Sequence, residues 1–263
     1  MTFKKSWQIE NEMLHSDLIK KRFYATVYGM AFGEAMCIAG DVPVLLKEIT
    51  NSTILDKKNI KLSDPVELLK RCGPLALVFG EEFSFQEIVS FIEEYFSKNN
   101  INKTQFLGII IYINILFRLY HYDNFQRAID ETINDCKNHI PAEYKSEFAD
   151  YELLFNKQFG SRPDNENNTN SFQYYLLAAV YCCISEDSYE NTIRTASTFT
   201  SDSGIIGSMA GAMAGLYYYK NDGFPEERLA GLECEIFLDV LLTKFHKLSK
   251  MASLSKKGDR GKV

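Results

Sequence analysis

The chain has 263 residues, of which 46% are hydrophobic and 24% are charged, a composition ordinary for a globular protein. Its formal net charge of −6 argues against a broad basic surface that binds nucleic acid or anionic membranes. The length suits one sizeable domain with a substantial core.

Apolar residues recur at helical spacing along most of the chain, and no convincing strand-like alternation is found. We therefore predict an all-α protein that folds as a single compact multi-helix domain. Ser63 or Asp64 caps one helix ahead of Pro65, and Ser84 with Glu87 forms a capping box at the next. The predicted helices cover residues 21–37, 43–50, 64–80, 84–98, 103–120, 123–138, 142–156, 171–185, 188–198, 203–219 and 225–250.

Three segments organise the chain: a leader at residues 1–20, the helical domain at 21–250 and a polar basic tail at 251–263. The clearest internal loop is the polar stretch 160–170. Asp123 is predicted to cap the helix that follows it.

The six cysteines form no C-x-x-C pair and the four histidines are scattered, which argues against a zinc site. The N-terminus is polar and lacks the apolar segment of a signal peptide. The strongest apolar run, residues 109–116, is too short to span a bilayer. We predict a cytoplasmic protein that binds neither membranes nor nucleic acid.

The predicted helix at 203–219 is crowded with small residues, because Gly207, Gly211 and Gly215 repeat at a spacing of four. This spacing places them on one helical face, where they indicate close approach of a neighbouring backbone. The polar run 198–204 leads into this helix, with Asp202 or Ser203 as its cap. The run forms either a site for a metal ion or an anion, or only the N-terminal cap of this helix.

Several segments of the chain resemble the ADP-ribosylglycohydrolases. Residues 200–205 stand where that family has a GGDTDT motif, residues 210–215 match its AGALAG helix, and residues 224–227 match the turn that follows. Residues 24–35 are similar to its opening helix, and residues 69–77 to its AAMRAAPLGL segment. The resemblance implies an all-helical enzyme that removes ADP-ribose from modified proteins with a pair of magnesium ions.

The chain departs from this family at the positions that bind metal. Gly204 and Ile205 replace an Asp and a Thr, and neither side chain can coordinate magnesium, which prefers oxygen ligands in octahedral geometry. The interval 41–70 lacks the paired aspartates of the family's TDDT-like motif, and residues 97–100 replace its Thr-His pair. The resemblance therefore implies the fold and argues against the chemistry.

The site candidates that remain are two carboxylates with a vestigial catalytic role, Asp41 and Asp202, and three ligand-binding residues, Glu34, Ser201 and Ser203. In the family these positions converge on one cleft. Asp202 is a possible metal ligand. No cofactor is expected, and magnesium is expected only if hydrolase activity has survived.

Three functions are compatible with this pattern. The first is a catalytically degenerate family member that binds a protein partner or an ADP-ribose-like ligand. The second is a residual hydrolase that uses Asp41 and Asp202, and the third is a structural or oligomeric scaffold. The leader adds an apolar stripe that includes Trp7 and Leu14, which either packs on its own domain or docks into a partner. Docking onto a toxin-like ADP-ribosyltransferase would make the chain an immunity-type protein.

Overall fold

The structure, a computed structural model, describes the backbone of nine stretches of the chain: residues 3–52, 64–79, 83–97, 99–122, 124–158, 161–163, 172–199, 202–220 and 235–259. Every regular element in these stretches is a helix, which confirms the predicted all-α fold. None of the helices described there is long and apolar enough to cross a membrane.

Eleven α-helices and two short 3-10 segments follow one another in the described stretches. The 3-10 segments are Gly73–Val78 and Ala142–Tyr144. The helices are α1 (Phe3–Ile38), α2 (Val42–Ser52), α3 (Pro65–Arg71), α4 (Phe85–Phe96), α5 (Lys103–His121), α6 (Phe125–His139), α7 (Lys145–Gln158), α8 (Phe172–Ile184), α9 (Tyr189–Ser197), α10 (Ser203–Lys220) and α11 (Glu235–Asp259).

The first helix is longer than predicted, because α1 begins at Phe3 and continues through the leader without a break. At the end of the leader, Ile19 packs against the core and the Lys20 ammonium lies 3.5 Å from the Asp239 carboxylate. The side chains of residues 1–17 lie outside the described part, so the apolar stripe of the leader stays a prediction.

The predicted helix at 64–80 is divided into α3 and a 3-10 segment. Its start is confirmed, since the Asp64 side chain caps it by accepting a hydrogen bond from the Val66 amide at 2.8 Å. Pro74 has no amide hydrogen and its ring collides with the carbonyl four residues earlier, so an α-helix cannot run through it. The chain tightens into 3-10 geometry from Gly73 instead.

Two other predicted helix boundaries can be compared with the structure. The capping box of Ser84 and Glu87 is confirmed at the start of α4. The cap of α6 is Asn124, whose side chain accepts from the Arg127 amide at 2.9 Å. The prediction that Asp123 caps this helix was therefore wrong. Asp123 itself lies outside the described residues.

The last helix is displaced toward the C-terminus relative to the sequence prediction. In the described part α11 runs from Glu235 to Asp259, beyond the predicted end at residue 250 and into the predicted tail. Residues 221–234, which include the predicted start of this helix, lie outside the described part.

The centre of the fold is the packing of α1 against α10. A side-chain carbon at Gly33 would collide with the backbone carbonyl oxygen of Gly207, and one at Gly211 would collide with that of Gly29. The two backbones therefore touch directly, which confirms the close approach predicted from the glycine spacing. This contact places the end of α1 beside the start of α10.

Candidate functional site

The end of α1 and the start of α10 are joined by a hydrogen bond between Ser203 and Cys37. The Ser203 hydroxyl donates to the Cys37 carbonyl at 3.1 Å, and the Ser203 side chain is 5% exposed. Burial raises the pKa of the Cys37 thiol to about 11, and the negative charge of Glu34 adds to this rise. Glu34 therefore lies close to the point where the two helices meet.

Glu34 is a buried carboxylate held by two cations from α3. The whole residue is 3% exposed. Lys70 donates from Nζ to one carboxylate oxygen at 2.6 Å, and Arg71 donates from Nη1 to the other at 2.5 Å. The other terminal nitrogen of Arg71, Nη2, lies 3.3 Å from the oxygen that Lys70 contacts. Arg71 therefore binds the carboxylate through both of its terminal nitrogens.

Lys70 and Arg71 are themselves almost fully buried and share further acidic partners. Glu67, one turn earlier on α3, lies 2.6 Å from the Lys70 ammonium and 3.7 Å from Nε of Arg71. Glu48 on α2 approaches Arg71 at 3.8 Å and is more exposed. This group of five residues, the Glu34 cluster, ties α1, α2 and α3 together by charge.

Asp202 lies just before α10 and is 8% exposed. It accepts a hydrogen bond from the hydroxyl of Tyr175 on α8, and Tyr175 is almost fully buried. Burial raises the pKa of Tyr175 to about 12, with a further rise from the Asp202 charge and a smaller one from Asp64. The two carboxylates therefore act on the same phenol, although they are 138 residues apart in the chain.

The remaining predicted site residues differ in environment. Asp41 is exposed and caps α2, where its side chain accepts from the Val44 amide at 3.3 Å. Ser201 lies outside the described residues. Of the five predicted residues, Glu34, Asp202 and Ser203 are buried around the meeting point of α1 and α10, and Asp41 follows α1 at the surface. Their functional roles stay predictions.

The described side chains do not fit a magnesium pair. No group of three or more His, Cys, Asp and Glu residues in that part of the chain is arranged to hold a metal ion. Glu34 has its charge balanced by Lys70 and Arg71. Magnesium sites need several free oxygen ligands in octahedral arrangement, and this donor set does not supply them.

Sequence reasoning missed four residues of this region: Lys70, Arg71, Tyr175 and Asp64. One signal for the first two was available, since two adjacent cations stand within an apolar helical segment and are buried only when paired. No local signal marked Tyr175, because it lies in a uniformly apolar helix with other aromatic residues. Asp64 was identified as a helix cap and not as a site residue.

Comparison with known proteins extends the resemblance described above. The family model described as ADP-ribosylglycohydrolase matches residues 46–257, which is most of the chain. None of the curated proteins compared with the chain matches it. The matched range contains α3 and α10, which supply Lys70, Arg71 and Ser203 to the region around Glu34.

Proposed function

We propose that this chain, which belongs to the ADP-ribosylglycohydrolase family, acts by binding a partner and not by magnesium-dependent hydrolysis. The observation that carries the proposal is the pairing of Glu34 with Lys70 and Arg71. Both oxygens of this buried carboxylate are bound by buried cations, so a metal ion could bind Glu34 only by displacing them.

Further support comes from the positions where the family motif binds metal. Gly204 and Ile205 stand there at the start of α10, and neither offers an oxygen from its side chain. A metal ion competing for Glu34 would have to displace Lys70 and Arg71 from a buried site. That displacement leaves both cations without their central partner, which costs several kcal/mol.

The surface next to this region favours a protein as the partner. Met36 and Ile38 at the end of α1 are 58% and 52% exposed, and Val44 on α2 is 53% exposed. Exposed apolar patches mark interaction surfaces, and we propose that these three side chains contribute to such a surface around the end of α1. An ADP-ribose-like ligand and a toxin-like ADP-ribosyltransferase are the two occupants that the family membership suggests.

The partner surface is tested by affinity capture with matched variants. The double variant Met36→Lys/Ile38→Lys places two charges on the surface, and Val240→Lys on α11 places one on another exposed apolar residue. We expect the wild type and Val240→Lys to retain the same partner and the double variant to lose it. Equal retention by all three proteins would contradict the proposed surface.

Loss of hydrolysis is tested with an ADP-ribosylated protein as substrate, at high enzyme concentration and with magnesium present. We expect no release of ADP-ribose above the buffer control. One observation favours the alternative of a residual hydrolase, since Asp202 is buried against Tyr175 and within electrostatic reach of Asp64. Release that occurs with the wild type and disappears in Asp202→Ala would establish that alternative.

The immunity-type role of the leader is tested by deleting residues 1–17, which leaves the contacts of Ile19 and Lys20 in place. We expect the truncated protein to lose partner binding while it keeps nearly the same melting temperature. A much lower melting temperature would show that the leader belongs to the domain core and would remove the support for docking.

A further inference from the structure

A pocket lies away from the Glu34 cluster, between the start of α4 and the ends of α5 and α6. Its volume is about 530 Å³, within the size range of small-molecule sites. It shares no lining residue with the Glu34 cluster or with Asp202 and Tyr175. We propose that this pocket binds a small, uncharged, planar heteroaromatic molecule of the nucleobase type.

The charge balance of the pocket favours an uncharged ligand. Arg118 contacts the Asp135 carboxylate through Nη2, and its Nη1 lies 3.2 Å from Glu131. Arg127 binds the other oxygen of Glu131 at 2.9 Å. Among the described residues of this network two cations therefore face two carboxylates, and Arg118 and Asp135, the two of them that line the pocket, already form an ion pair that a charged ligand would have to compete with.

The same network fixes the wall of the pocket. The Tyr122 hydroxyl donates to Glu131 at 2.5 Å and accepts from Nη1 of Arg118 at 3.0 Å. The Arg127 guanidinium lies 4.2 Å from the centre of the Tyr122 ring. Side chains held by several contacts lose little further entropy when a ligand binds, which suits a preformed site.

The apolar part of the lining suits a flat ligand. Phe83, Phe85 and Phe117 line the pocket and are each more than nine-tenths buried, so they supply its apolar part from below the surface. The His121 ring stands edge to face against Phe117, with centroids 4.7 Å apart. Aromatic rings that pack on one another prefer offset or edge contacts, and an added planar ring can extend this arrangement.

The polar part of the lining can bind the edge of a heterocycle. The Gln86 carboxamide offers donors and an acceptor, and His139 offers a ring nitrogen. Both residues are exposed, so they lie at the mouth of the pocket above the phenylalanines. A ligand with flat apolar faces and a mixed donor and acceptor edge matches both features.

The test uses the four histidines of the chain as reporters. His121 and His139 line the pocket, and His15 and His246 do not. Imidazole resonances of the full-length protein are recorded by NMR at one pH, assigned with His121→Gln and His139→Gln, and titrated with adenine and with cytosine. We expect saturable shifts of the His121 and His139 signals and none of the other two.

Charged ligands and a matched pair of variants complete the test. Benzoate and benzamidinium are planar controls of opposite charge, and we expect each to bind about tenfold more weakly than adenine. Gln86→Trp fills the mouth and should abolish the shifts, whereas Ser90→Trp, at an exposed position on the same helix, should not. The proposal is overturned if neither base shifts the two signals, if the charged compounds bind equally well, or if Gln86→Trp binds like Ser90→Trp.

Discussion

Nη1 of Arg71 lies 2.5 Å from the Glu34 carboxylate, and both side chains are 4% exposed. Replacing this arginine by Met leaves a buried carboxylate with one cation instead of two. Breaking a buried ion pair from one side is expensive, so we expect Arg71→Met to lower the free energy of unfolding by about 3 kcal/mol. Urea unfolding of both proteins measures the difference.

The matched control for this change is the double variant Glu34→Gln/Arg71→Met. It removes the charge that Arg71→Met leaves uncompensated, and it should therefore be more stable than the single variant. If Arg71→Met alone costs less than about 1 kcal/mol, the Glu34 cluster is not the buried ion pair described above.

The contact of α1 with α10 leads to a prediction about Gly211. A methyl group there meets the carbonyl of Gly29, which is backbone and cannot swing aside. We expect Gly211→Ala to be destabilising by about 1–3 kcal/mol, since overpacking outweighs the gain of about 1 kcal/mol in helix propensity. Thermal and urea unfolding give the size of the effect.

Gly204 at the start of the same helix provides the control. A methyl group there meets Cγ2 of Ile38, a side chain that is 52% exposed and can yield by rotation, unlike a backbone carbonyl. Gly204→Ala should therefore destabilise the protein less than Gly211→Ala. Equal losses at both positions would mean that backbone contact does not explain the glycines of α10.

The sequence allowed much of this architecture to be predicted, because the relevant signals are local. Glycines at a spacing of four predicted the contact of α10, and the capping residues predicted the starts of α3 and α4. The break after Arg71 was missed although Pro74 marks it, because the apolar pattern continues through residue 80. Periodicity records which face is buried and does not distinguish an α-helix from a tighter 3-10 segment.

The site was less predictable, because its main contacts join distant parts of the chain. Glu34 was identified as a candidate, but its partners on α3 lie 36 and 37 residues away. Tyr175 and Asp202 meet only because α8 packs beside α10. Spacing within one segment carries no information on such pairs.

The phenol of Tyr175 makes the stability of the protein depend on alkaline pH. Its pKa is about 12 in the fold, against about 10 in an unfolded chain, so the folded protein keeps a proton that the unfolded chain releases. The contribution of this phenol to the free energy of unfolding is complete below pH 10 and is lost as the pH rises toward 12. Tyr175→Phe should lose less stability than the wild type over that interval.

Urea unfolding at a series of pH values measures this difference, and Asp202→Asn serves as a second variant. Removing the Asp202 charge takes away one of the causes of the raised Tyr175 pKa. The loss of stability between pH 10 and pH 12 should therefore be smaller in this variant as well. Identical pH profiles of wild type and Tyr175→Phe would contradict the burial and bonding of this phenol.

Calorimetric titration of the full-length protein with magnesium chloride tests the central claim most directly. Because Lys70 and Arg71 neutralise Glu34 and the start of α10 lacks two oxygen ligands, we expect no saturable binding in the micromolar range. The same result is expected for Asp202→Ala, which serves as the reference. Tight binding of two ions by the wild type, lost in Asp202→Ala, would contradict the account and restore a metal-dependent hydrolase.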